Sequence, residues 1–135
     1  MKKYLMLAIV VLGLSLALTA CGSNGPSTNL RVDMVEFMFE PSDYTIPAGQ
    51  EITLELSNNG AVVHEFVIMK YGTEIGQDFG PEDEENIYWE AEVDPGSSNT
   101  FTFTAPSQPG EYQVVCGTEG HYLAGMVARL FVIAE

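Results

Sequence analysis

The sequence predicts an all-β sandwich of about seven or eight strands. Three observations lead there. From Leu30 onward the segments are short and rich in Val, Ile, Phe, Tyr and Thr. Gly, Pro and Asn interrupt them every few residues, and no ten-residue stretch shows helical periodicity.

The elements follow in order along the chain. Leu30, Val32 and Met34 alternate with Arg31 and Asp33, giving one apolar and one polar face. Asp43 to Ile46 leads into the turn Pro47-Ala48-Gly49. Ile52, Leu54 and Leu56 then alternate with Thr53, Glu55 and Ser57, as a half-buried strand requires. Asn58-Asn59-Gly60 breaks that run, and Ala61 to Met69 follows as a more continuously apolar strand. Tyr71 to Asn86, with glycines at 72, 76 and 80, reads as a long excursion with room for a short helix. Ile87 to Val93 is a strand, Asp94-Pro95-Gly96 turns, and Phe101 and Phe103 alternate with threonines in the next strand. After Pro109-Gly110, Glu111 to Cys116 and Val127 to Ala134 form the last two strands, with a ten-residue loop between them. Met34, Met38 and Met69 are assigned to the core.

The first twenty residues read as an export signal and not as part of the fold: Lys2 and Lys3 precede an apolar run from Tyr4 to Leu18. At roughly 15 residues the run is shorter than the ~20 needed to span a bilayer comfortably. Leu18-Thr19-Ala20-Cys21 resembles the lipobox of bacterial lipoproteins, which implies cleavage before Cys21 and lipidation of that cysteine. Residues 21–29 then form a small, polar tether, and 30–135 the domain. The expected location is extracytoplasmic, lipid-anchored to the outer face of the cell membrane or to a periplasmic leaflet. Lipidation at Cys21 also removes the one available disulfide partner of Cys116.

Beyond residue 21 nineteen carboxylates stand against Arg31, Lys70 and Arg129, a net charge of −16 with histidines neutral. Such a chain is repelled by nucleic acid and steered toward basic protein surfaces. A monomer is expected.

Within the last loop Cys116, His121 and Met126 stand five residues apart, placing a thiolate, an imidazole and a thioether on one short segment. The mature region has one other histidine, His64, in an apolar stretch. Two histidines, one cysteine and a weak axial methionine make up the ligand set of blue-copper electron-transfer sites. Zinc fits less well, because its structural sites close with four Cys or His ligands and no second cysteine is available. One copper ion cycling between Cu(II) and Cu(I) is therefore the expected cofactor.

With these residues in place, the chain resembles the cupredoxins, from about residue 30 to its end. Cys-x₄-His-x₄-Met is the longer form of the family's C-terminal motif. Gly110-Glu111-Tyr112-Gln113-Val114-Val115 matches the approach to the cysteine, and the Asn-Gly turn before His64 also fits. The resemblance implies a Greek-key sandwich and an electron carrier that is not an enzyme. Tyr122, Leu123, Ala124 and Gly125 would form the patch where His121 docks on redox partners, and Glu82, Asp83, Glu84 and Glu85 an acidic patch for basic ones. Glu65 departs from the asparagine common after the first histidine, and a carboxylate there is expected to favour Cu(II) and lower the potential. Glu119-Gly120 replaces the frequent Pro-Gly. Extracytoplasmic copper storage, delivery or tolerance is the competing function. A copper oxidase or nitrite reductase would need more histidines than the two present.

Overall fold

The computed structural model describes residues 25–134, and the signal segment, Cys21 and the first part of the tether lie outside them. Nine strands form two sheets: β1 (Asn29–Val35), β2 (Met38–Glu40), β3 (Asp43–Pro47), β4 (Glu51–Asn58), β5 (His64–Met69), β6 (Ile87–Val93), β7 (Ser98–Thr104), β8 (Gly110–Val115) and β9 (Val127–Ile133). One sheet runs β2-β1-β4-β7 and the other β3-β9-β8-β5-β6. β1 lies parallel to β4 and β3 parallel to β9, while the other pairs are antiparallel. The result is the all-β Greek-key sandwich that the sequence predicts, with one strand more than the seven or eight expected.

The alternating strands behave as their patterns require. In β4, Ile52, Leu54 and Leu56 are fully buried while the residues between them are half exposed. They meet Phe66, Ile68, Tyr112, Val114, Leu130 and Val132 of the facing sheet in a single core. Burying a side chain of this size contributes roughly 1.5–3 kcal/mol, so the intersheet layer dominates the favourable side of folding.

β5 lacks alternation for a physical reason. Val67 and Met69, on its outer face, are covered by Ile75, Phe79 and Ile87 in a second cluster with Val115 and Tyr122. The excursion 71–86 is thus folded back over the sheet, and its one regular piece is a 3₁₀ turn at Glu84–Asn86. A strand covered on both faces reads as a continuous apolar run.

Three expectations need correction. The strand read from Ala61 begins only at His64, because 61–63 form a bend held by side-chain bonds. Met38 is 51 % exposed, since β2 is a three-residue edge strand, whereas Met34 and Met69 are buried. The fold also reaches back into the tether, where the Ser27 N–H donates to the Thr45 carbonyl and the Thr53 N–H to that of Thr28.

Candidate metal centre

Strand register gathers the site. β5 and β8 are antiparallel neighbours through Val67–Val115 and Ile68–Val114, so the start of β5 lies beside the end of β8. His64 opens β5 and Cys116 follows β8, and both side chains emerge on the core side of the sheet. β9 pairs with β8 through Val115–Val127, which sets Met126 at the same end. Backbone bonds close the loop: the Cys116 N–H donates to the Met126 carbonyl at 3.1 Å and the Met126 N–H to the His121 carbonyl at 2.9 Å. Gly125 takes φ +98°, a left-handed turn that a side chain would strain.

The three strongest donors converge. The Nδ1 atoms of His64 and His121 stand 3.2 Å apart, and the Cys116 sulfur is 3.9 Å from the first and 3.4 Å from the second. All three residues are buried, and their donor atoms lie within 4.8 Å of one another. Nitrogen and sulfur donors bound ~2.0–2.3 Å from one ion in a trigonal plane would stand roughly 3.5 Å apart. The observed separations bracket that figure, so the cluster fits a single small cation. Met126 is fully buried at the same end of the core.

Asn58 frames the site. Its buried side-chain amide donates to the Val62 and Val93 carbonyls, and its oxygen accepts the Gly60 N–H. The Thr118 hydroxyl donates to the Val63 carbonyl at 3.1 Å, linking the two ligand segments directly.

Glu65 plays a different part from the one its position suggests. Its backbone N–H donates to the Cys116 sulfur at 3.4 Å. Strand alternation turns its carboxylate to the other face of the sheet, against Gly117 and beside Glu92 across the β5–β6 pair. Burial there, with repulsion from Glu90, Glu92 and Glu84, raises its pKa above the usual carboxylate value.

Two residues without a sequence signal complete the surroundings. The turn between β1 and β2 folds over the histidines. Phe37 meets the His121 ring edge-on at 4.9 Å, and the Glu36 carboxylate oxygen lies 3.8 Å from His64 Nε2. Burial, and then the neighbouring His121, lower the His64 pKa, while Glu36 opposes that change. Bonds from backbone N–H groups, that of Ala61 first, lower the Glu36 pKa.

Of the predicted docking residues, Leu123, Ala124 and Gly125 are exposed, Leu123 at 71 %. Tyr122 instead turns inward, its hydroxyl donating to the Ile75 carbonyl at 3.2 Å. Glu82, Glu84 and Glu85 are exposed around the 3₁₀ turn, and half-buried Asp83 accepts the Gly80 N–H through its carboxylate.

A two-sheet Greek-key sandwich with a buried His, Cys, His cluster at one end defines a class of single-site metal-binding β-proteins. The chain belongs to the cupredoxin-like domain family, whose model matches residues 7–128. It is 29 % identical to auracyanin-A of Chloroflexus aurantiacus, over 87 % of this chain and 90 % of that protein. It is 33 % identical to the chloroplastic plastocyanin of Tetradesmus obliquus, over 92 % of this chain and 76 % of the relative. Among solved structures, the dithionite-reduced auracyanin of Roseiflexus castenholzii superposes with a TM-score of 0.68 and 32 % identity, covering 81 % of this chain and 99 % of that one. Auracyanin A of Chloroflexus aurantiacus, described as a "blue" copper protein, gives a TM-score of 0.62 and 28 % identity, with 78 % and 99 % covered.

Proposed function

We propose that the domain holds one copper ion between His64, Cys116 and His121, with Met126 as a fourth, weaker donor, and passes single electrons between extracytoplasmic redox proteins. The observation that carries this reading is the convergence of two imidazoles and a lone thiol within 4.8 Å, all buried. Soft sulfur suits Cu(I) and imidazole suits Cu(II), so the set satisfies neither state fully and little need move when an electron enters or leaves. Strand β5 and the hydrogen-bonded loop between β8 and β9 hold the donors in place, which serves the same end. Lipidation at Cys21 would confine the carrier to a membrane surface, and the acidic surface would favour basic partners.

Adding Cu(II) to the soluble domain should produce an intense blue colour that Cys116→Ala abolishes. A colourless wild type, or a blue Cys116→Ala variant, overturns the assignment. Burial of the ligands favours retention of the ion over its delivery. A reduced protein that reoxidises slowly and hands its copper to an acceptor apoprotein would instead establish copper handling.

A further inference from the structure

His64 presents two nitrogens to two different environments. Nδ1 faces the donor cluster, 3.2 Å from His121 Nδ1. A nitrogen that is to bind a metal must be free of its proton, so the proton belongs on Nε2. That atom is buried and has no hydrogen-bond partner, a costly condition for an N–H group. The nearby acceptor is Glu36 Oε1 at 3.8 Å, slightly beyond hydrogen-bond reach. The same oxygen accepts the N–H groups of Ala61 and Val62, so it is held at the mouth of the histidine pocket.

Gly60 keeps this approach open. A Cβ there would lie 2.5 Å from Glu36 Oε1 and 2.8 Å from His64 Nε2, too close to both groups for either to keep its place. Its φ is not positive, so the constraint at this position is space and not backbone shape.

We propose that Glu36 is a positioning residue for the metal centre: its carboxylate holds His64 with the proton on Nε2 and Nδ1 free, and biases the bound ion toward Cu(II). This rests on the copper reading above. A carboxylate behind a ligating imidazole raises the basicity of the ligand, and loss of such partners typically weakens metal binding 10–100-fold. A more basic imidazole favours the more highly charged oxidation state. This is the tuning effect first expected of Glu65, carried by a residue on another strand pair.

The test compares Glu36→Gln, Glu36→Ala and Gly60→Ala with the wild type. Glutamine keeps an acceptor for the Ala61 and Val62 N–H groups but loses the charge. It should lower the affinity for Cu(II) relative to Cu(I) by about tenfold, which is ~59 mV of upward shift for a one-electron couple. Gly60→Ala should raise the potential in the same direction without changing any charge. In the metal-free protein, ¹⁵N NMR should find the His64 proton on Nε2 in the wild type and shared between the nitrogens in Glu36→Ala. A Glu36→Gln variant less stable than the wild type but unchanged in potential would show that Glu36 only braces the loop, and would overturn the proposal. So would an unchanged tautomer in Glu36→Ala. If the wild type took up no copper, the electron-carrier reading would fall, and the tautomer measurement would still decide the Glu36 contact.

Discussion

The side-chain amide of Asn58 donates to the carbonyl of Val93 at 2.8 Å, joining the end of β4 in one sheet to the end of β6 in the other. This bond lies at the metal end of the sandwich, and Asn58 is only 1 % exposed. The same side chain bonds Val62 and Gly60 on the approach to His64. Packing and site geometry are therefore coupled through one residue.

Asn58→Ala removes three bonds and leaves buried polar groups unpaired. Each unpaired buried group costs about 1–3 kcal/mol, and part of the bend can rehydrate, so a loss of about 2–3 kcal/mol is expected. Urea denaturation of the metal-free domain measures it. A loss under about 0.5 kcal/mol would show that the two sheets hold the His64 segment without this bridge.

Met126→Leu should leave the fold almost untouched, because the two side chains are of similar volume and such exchanges usually cost less than about 1.5 kcal/mol. A copper-loaded variant should remain blue, with a raised potential, since removing the weak axial donor favours Cu(I). Spectroelectrochemistry reads both properties. An unchanged potential would remove Met126 from the ligand set.

The cluster of His64, Cys116 and His121 was legible because two of its members share one short loop and the sequence offers one other histidine. Strand alternation likewise marked Ile52, Leu54 and Leu56 as core. What surrounds the ligands was not legible, because it depends on long-range pairing. Glu36 and Phe37 reach the histidines only once β1 lies parallel to β4 and its turn folds over β5. Their local sequence shows an exposed turn and nothing more. Glu65 misled for the opposite reason. Adjacency in sequence suggested proximity to the metal, whereas in a strand neighbouring side chains point to opposite faces. β2, at three residues, is too short to carry a period, so nothing in its pattern marks Met38 as exposed.

Glu65 supplies a test of pH dependence. Its folded pKa is raised by burial first and then by repulsion from Glu90, Glu92 and Glu84, so the native state binds this proton more readily than the unfolded chain. The ionised group therefore destabilises the fold above its folded pKa. That penalty fades as pH falls and is gone below the unfolded value. Glu65→Gln should make the metal-free domain more stable than wild type at pH 7, with the gap closing at about pH 4. Denaturation at the two pH values checks this, and equal stability at pH 7 would show that the carboxylate is freely hydrated.

Leu123 supplies a test of the electron-exit surface. It is 71 % exposed and belongs to the loop that carries His121, while Phe37 and Val62, at 40 % and 44 %, expose apolar surface on the neighbouring turns. Two copies of a strongly acidic domain must overcome repulsion to exchange electrons, so an uncharged contact at the ligand is where they can approach. Leu123→Glu places like charges face to face in that contact, which costs enough to slow self-exchange by at least about tenfold. Line broadening in mixtures of Cu(I) and Cu(II) protein reads the rate. The visible spectrum and the reaction with a small uncharged reductant should be unchanged, since neither needs the protein contact. If self-exchange continued at the wild-type rate, electrons would leave by another face, and the acidic edge around Glu84 and Glu85 would become the next to test.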